Sequence, residues 1–264
     1  MGSLRGGLNS MGLHRIIHCG GGPSSGYLMY GVVPAAGRGT RLRPLTDSTP
    51  KGLVRVGGKP ILAHCFSRLV ECGVDGLVVI VGYRGEDIIE HFAKSFNGVP
   101  IQYVWQENQL GLGHAVGQID SVVDDTFVVL NGDNVLGGSI EPLVEAHTRN
   151  SALVTALGEQ VDTSVAATTG VFVLDGDTVV GMVEKPDEPP STMVSAGCYV
   201  CEPSVVDLCH EIAPSETGEY EFSAVIDLLV NRGKSVAVIE FSGRRINVNT
   251  EADLTRAAAL VSEN

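Results

Sequence analysis

From Met29 onward, short runs of apolar residues alternate with helical periodicity, and few folds accept that order. Tyr30-Gly31-Val32-Val33-Pro34-Ala35 and Leu77–Val81 read as buried strands. Between them, Pro60 opens a helix carrying Ile61, Leu62, Cys65, Leu69 and Val70, and Gly73 closes it. The spacing of Ile88, Ile89, Phe92 and Phe96 predicts a helix over 86–96. Ile101–Trp105 and Phe127–Leu130 read as further strands, with a short helix near His114 and another over 140–147. Strand–helix–strand order with apolar strands predicts an α/β fold, a mostly parallel sheet flanked by helices. The second half changes character. Gly170–Leu174 and Val179–Glu184 flank Asp175-Gly176-Asp177, a hairpin signal, so the sheet is expected to be mixed. Ala196–Val200 and 236–241 read as strands, and helices are expected over 205–212, 223–232 and 251–261. Both halves are expected to share one sheet, in a domain spanning 29–264. Residues 1–28 carry glycine and serine clusters, no hydrophobic period and no signal-peptide pattern, and are expected to form a flexible extension.

Charge narrows the functions open to such a fold. The chain carries 18 basic against 31 acidic residues, a net charge of −13. That surface repels a phosphate backbone and argues against nucleic acid as a partner. No apolar run approaches the roughly 18 residues that cross a bilayer, so no membrane partner is expected either. Arginine supplies 13 of the basic residues and lysine 5; an acidic, lysine-poor chain suits a salt-rich cytoplasm, although a GC-rich genome also favours arginine. Of six cysteines, Cys198 and Cys201 form a C-x-x-C, but no second pair lies at zinc spacing. They read as small core residues in a reducing cytosol.

Against that acidic background one basic, glycine-rich stretch stands out. Ala35-Ala36-Gly37-Arg38-Gly39-Thr40-Arg41-Leu42-Arg43-Pro44-Leu45-Thr46 follows the first strand directly, and Pro50-Lys51 comes shortly after. In open α/β sheets ligands bind just beyond the carboxyl ends of strands. Gly37 and Gly39 allow backbone N–H groups to turn toward phosphate oxygens, Arg41 offers a fork of donors, and Lys51 adds a compact charge. Neither a dinucleotide G-x-G-x-x-G nor a P-loop is present, since Leu42 stands at the third glycine position. The run resembles the sugar-1-phosphate nucleotidylyltransferases, whose G-x-G-T-R-L-x-P-L-T loop is followed by P-K and V-x-G-K-P; Val56-Gly57-Gly58-Lys59-Pro60 completes it here. The resemblance runs from about Met29 to the C-terminus and is nearest in type to haloarchaeal members. It implies a Rossmann-like, nucleotide-diphospho-sugar transferase fold.

The resemblance also implies roles. Ala36, Gly37, Gly39 and Thr40 would cradle the triphosphate, with Arg41 and Lys51 neutralising charge. Asp133, in Leu130-Asn131-Gly132-Asp133-Asn134, sits at a strand's carboxyl end and matches the family's metal-binding Asp, which implies Mg²⁺. Gln106 and Gly111 match the residues that bond a uracil or thymine edge. Gly170, Glu184, Lys185, Gly197, Tyr199, Glu219 and Glu221 fall at sugar-side positions, with Lys185 on the sugar phosphate. One departure matters. Where the family has W-x-x-D-x-G-T, this chain has Arg244-Arg245-Ile246-Asn247-Val248-Asn249-Thr250. The second metal ligand becomes Asn247, an amide that can coordinate but brings no charge.

The expected reaction joins a nucleoside triphosphate to a sugar 1-phosphate in the cytoplasm, without a covalent intermediate or general base. The uracil and thymine rings differ by one methyl, so UTP and dTTP both stay open, as do cytidylyl or guanylyl transfer. Glucose is the implied sugar, with galactose or an amino sugar open. A catalytically silent, nucleotide-sugar-binding paralogue is the alternative. Family members are often oligomers, and no interface can be named from the sequence.

Overall fold

The first strand, β1 (Tyr30–Pro34), divides the core in two. Val32 points into one apolar layer and Val33 into the other, as strand alternation requires. The computed structural model describes residues 28–263, so the extension expected over 1–28 falls outside the described residues, but for its last one. In chain order the main elements are β1, α1 (Ile61–Glu71), β2 (Gly76–Val81), α2 (Gly85–Phe92), β3 (Val99–Trp105), α3 (Leu112–Gly117) and β4 (Phe127–Leu130). Then come β5 (Asn134–Gly137), α4 (Glu141–Arg149), β6 (Val154–Gln160), β7 (Gly170–Asp175), β8 (Thr178–Glu184) and β9 (Met193–Cys201). The chain continues through α5 (Ser204–Cys209), α6 (Phe222–Asn231), β10 (Val236–Glu240), β11 (Arg244–Asn247) and α7 (Glu251–Ser262).

Strands β3, β2, β1 and β4 lie side by side in that order, all parallel. The order reverses between β1 and β4, the switch point where a crevice opens in doubly wound sheets. Strand β9 continues the sheet antiparallel to β4, with Cys198 opposite Leu130 and Cys201 opposite Phe127. Along its other edge β9 pairs antiparallel with β6, and β6 carries β10 in parallel. The β7–β8 hairpin attaches through Val171 opposite Val194. The two halves therefore share one mixed sheet. Among the described residues, no helix is long and apolar enough to cross a membrane.

Both faces are covered. Val78 and Ile80 of β2 pack with residues of α3, α5 and α6, while Leu77, Val79 and Val81 pack with Phe66, Leu69 and Ile88 of α1 and α2. Cys198 and Cys201, three residues apart, face opposite layers, so this C-x-x-C is two separate core thiols. Burial pushes both thiols up. A third cluster joins α7 to the region behind the glycine loop, through Leu42, Val56, Ile61, Val248, Ala257 and Leu260.

Two features depart from the sequence-based expectation. The helix expected over 86–96 ends at Phe92, because Ala93 adopts φ 53°, and Ser95–Phe96 then forms a short strand. Strand β6 was not foreseen; Val154–Leu157 is buried throughout and carries no alternation. A small antiparallel pair, β5 with β11, also lies outside the main sheet.

The ends of β1 and β4 approach closely. The Gly132 amide donates to the Pro34 carbonyl at 3.2 Å, and a Cβ on Gly132 would stand 2.5 Å from that oxygen. Backbone cannot swing aside as a side chain can. Gly132→Ala is therefore expected to destabilise the fold by about 1–3 kcal/mol, read as a lower midpoint in urea unfolding with an unchanged slope.

Candidate active site

Two cavities, of about 430 and 600 Å³, open beyond the carboxyl ends of these strands. Both fall in the range of small-molecule sites. The first is lined by Ala36, Gly37, Gly39 and Thr40 from the loop after β1, by Gln106 and Gly111 after β3, and by Lys51. The second is lined by Gly170 at the start of β7, Glu184 and Lys185 at the end of β8, Gly197 and Tyr199 of β9, and Glu221 and Asn247. Arg41, Asn131, Asp133 and Asn249 line both, and so form the seam.

Local folding explains these positions. Thr40–Leu42 forms one turn of 3-10 helix, and Leu42, 1 % exposed, is buried among Val56, Ile61 and Leu260. With Leu42 anchored inward, Arg41 is left exposed at the cavity wall, and its guanidinium makes no hydrogen bond or ion pair with another described residue. Gly39 sits at φ 61°, and a Cβ there would meet the Cβ of Lys51 at 2.8 Å. Buried Thr46 donates its hydroxyl to the Gly39 carbonyl at 2.8 Å, bracing the loop from behind. Gly37 differs: a Cβ on it would meet no protein atom within 4 Å, only the cavity. Arg38 is not part of the cavity lining; its guanidinium lies over the Tyr83 ring, 5.4 Å from the centroid.

At the seam, Lys51 Nζ donates to Asp133 Oδ2 at 2.8 Å and to Asn249 Oδ1 at 3.0 Å. Asn249 Nδ2 in turn donates to Asn247 Oδ1 at 3.0 Å. Strand β11 brings these amides here, with Asn247 opposite Asn134 and the Val248 amide donating to the Asp133 carbonyl. A capping box on α7 fixes Asn249 further. Asp253 Oδ2 accepts from the amides of Asn249 and Thr250, and the Asp253 amide donates to the Thr250 hydroxyl. Burial opposes the charge of Asp253, but Arg256 and these donors outweigh it and hold its carboxyl below the usual range.

A divalent cation finds one carboxylate here. Among the described residues no group of three or more His, Cys, Asp or Glu could hold a metal. Magnesium is commonly bound by one or two carboxylates together with substrate phosphates. Asp133 with the Asn247 amide oxygen fits that mode, and a phosphate-free cage does not.

The residues expected on the sugar side are arranged around a small acidic group. Lys185 Nζ lies 3.1 Å from Glu184 Oε1, and its backbone is left-handed at φ 44°, a strain of about 1–3 kcal/mol of the kind stored at ligand sites. Burial, with the nearby charges of Glu184 and Glu219, pushes the Glu221 carboxyl up. Two positions differ from expectation. Glu219 lines the first cavity instead of the second, because Tyr220 donates to the Leu110 carbonyl and accepts from the Gly113 amide, which seats Glu219 beside Gly111. Tyr199 lines the second cavity but is 3 % exposed; its hydroxyl is bonded to Ser195 at 2.5 Å and its ring packs on Phe222.

Sequence reasoning did not single out Arg245 or Arg256, both on the second cavity, nor Asn249 as a bridge. Arg245 is paired through Nε and Nη2 to Glu159, a contact between β11 and β6 that no local motif signals.

A glycine-loop cavity and a carboxylate-rich one that meet at Asp133 suit a transferase acting on phosphate groups. The chain belongs to the nucleotidyl transferase family, whose profile matches residues 30–253. It is 42 % identical over 236 residues to a UTP–glucose-1-phosphate uridylyltransferase, AglF, of Haloferax volcanii, covering 89 % of this chain and 97 % of that one. A crystal structure assigned as a glucose-1-phosphate thymidylyltransferase of Bacillus anthracis superposes with a TM-score of 0.81 at 30 % identity, over 89 % of this chain and 96 % of the other. A UDP-glucose pyrophosphorylase structure shares the fold at 20 % identity, with a TM-score of 0.82 over 89 % and 99 % of the two chains.

The two loop glycines should separate binding from folding. Gly37→Ala is expected to melt like the parent but to lose nucleotide affinity by about tenfold or more, because its methyl meets only the ligand space. Gly39→Ala is expected to lose stability by about 1 kcal/mol or more, since φ there is left-handed. Thermal melts with and without nucleotide distinguish the two.

Glu221 gives a pH prediction. Its folded pKa lies above its unfolded one, so its contribution to stability is full below the ordinary Glu value and is lost as the pH rises through the folded value. Glu221→Gln is therefore expected to raise the melting temperature at pH 7 and to leave it nearly unchanged at pH 4.

Proposed function

We propose that this protein joins UTP to glucose 1-phosphate, making UDP-glucose and releasing pyrophosphate. The observation that carries this reading is the shared wall: Arg41, Asp133 and Asn249 face both a glycine-loop cavity and a carboxylate-rich one. A triphosphate in the first and a sugar phosphate in the second would meet there. The names of the relatives support the choice of uridine and glucose, and dTTP is the neighbouring possibility.

The chemistry follows from positioning. The Gly37 and Gly39 loop holds the triphosphate, with Arg41 and Lys51 neutralising its charge. Lys185 holds the sugar phosphate, whose oxygen bonds to the α-phosphorus as the bond to the bridging oxygen breaks. Pyrophosphate leaves with that electron pair. The nucleophile is already an anion, so no side chain has to remove a proton. Magnesium, held by Asp133 with the Asn247 oxygen, would supply positive charge to the triphosphate oxygens. Glu184 and Glu221 accept hydrogen bonds from the sugar hydroxyls. The reaction belongs in the cytoplasm, where nucleoside triphosphates are made.

A second reading, a binding subunit without turnover, is favoured by the amide at Asn247 in place of a carboxylate. Mixing the protein with UTP, Mg²⁺ and glucose 1-phosphate decides between them: pyrophosphate release supports the enzyme, and binding without release supports the subunit. Asp133→Ala and Lys185→Ala are each expected to lower kcat by about 100-fold or more, with the far-UV spectrum unchanged. Near-parental turnover in either would remove the mechanism.

A further inference from the structure

Whether a carboxamide can tell one base from another depends on which way round it is held. Gln106 follows β3 and is 3 % exposed, yet it lines the nucleotide cavity. Its Nε2 lies 3.3 Å from the Gly111 carbonyl oxygen and 2.8 Å from His114 Nδ1. A carbonyl can only accept, so the end of the amide facing Gly111 is the NH₂. That group has two hydrogens, and the second points to His114. The imidazole Nδ1 must then accept, which leaves its proton on Nε2. Burial, with His210 adding to it, lowers the His114 pKa, so the ring is neutral near pH 7 as this arrangement requires. The Tyr220 ring, 6.1 Å away between centroids, lies beside it.

Both amide hydrogens of Gln106 are thus taken, and Oε1 has no partner among the described residues. The Gly111 amide has none either. The cavity wall therefore carries an acceptor next to a donor. Uracil and thymine offer the complement, an N3–H beside a carbonyl. Cytosine is the same size but carries a bare N3, which would face Oε1 acceptor to acceptor.

We infer that His114 is a positioning residue for base choice: by accepting from Gln106 it locks the carboxamide so that the site admits a base edge with N–H beside C=O and rejects one with a bare ring nitrogen. Without that acceptor only the 3.3 Å bond to the Gly111 carbonyl still holds the amide, so the turned-over form, whose NH₂ can serve cytosine, gains population. The inference rests on the nucleotidyl transfer proposed above and adds the residue that sets its specificity. Guanine shares the N–H and C=O pair and is separated by size, so CTP is the informative competitor.

The test compares UTP and CTP as substrates by pyrophosphate release, with glucose 1-phosphate and Mg²⁺. His114→Ala is expected to lower the UTP-over-CTP ratio of kcat/KM by about tenfold or more, chiefly through KM. His114→Asn, whose Oδ1 can stand where Nδ1 stood, is expected to keep the ratio within about threefold of the parent. A parental ratio in His114→Ala, or an Asn variant no better than the Ala variant, overturns the inference. Should the Ala variant not fold, ¹⁵N shifts of the His114 ring in the parent protein decide the matter. The Nε2–H tautomer is expected, and an Nδ1–H tautomer or an imidazolium at pH 7.5 overturns it. A parent that releases no pyrophosphate from either nucleotide defeats the enzyme reading itself. A UTP-selective parent whose ratio survives His114→Ala defeats only the role of His114.

Discussion

The Gly132 amide reaches the Pro34 carbonyl at 3.2 Å, and the site depends on how close that contact draws two strand ends. The loop after β1 lines the first cavity with glycine backbone and with Arg41. The turn after β4 supplies a carboxylate. Only when the two leave the sheet side by side can one ligand touch both. Parallel strands on either side of a switch point give that geometry, and a residue without a side chain permits the last ångströms of approach. The apolar layers on both faces serve to hold the strands in this register.

Electrostatics then has to be handled within a chain of net charge −13. The structure does so locally. Lys51 sits between Asp133 and Asn249, so neither its ammonium nor the carboxylate is left without a partner. An amide at 249 suits this arrangement, because it can accept from Lys51 and donate to Asn247 at the same time. The two asparagines that depart from the family pattern are thus parts of one hydrogen-bonded chain that ends on the Asp133 carboxylate. Arg41, also at the seam, makes no hydrogen bond or ion pair with another described residue, which leaves its donors to a ligand.

How much of this could be read from the sequence follows from how local each signal is. The β1 strand and its glycine loop are contiguous, so the stretch that lines the first cavity was legible, and the hairpin at Asp175-Gly176-Asp177 likewise. The helix over 86–96 was overrun for an instructive reason. Phe96 keeps the spacing of Ile88 and Phe92, and its ring does reach the same cluster, 5.4 Å from Phe66 and 6.2 Å from Phe92. It arrives from a strand after the chain reverses at Ala93, and periodicity alone cannot show a reversal. The β5–β11 pair was missed because its partners lie far apart in the chain and are only four residues each. Glu219 was grouped with Glu221 by motif, but backbone bonds of Tyr220 to the 110–113 segment turn it to the other cavity. The orientation of Gln106 was not legible either, since it depends on a carbonyl and an imidazole whose placement only the folded loop fixes.

The bond from Lys51 to Asn249 spans 198 positions of the chain. Closing so long a loop costs entropy that only the finished fold repays. On a ribosome, the parallel strands of the first half emerge early and can pair, but the seam cannot assemble until β11 and α7 have been synthesised and docked. Partly made chains thus display the glycine loop without its last bridging amide, and the seam is complete only once β11 and α7 have joined it.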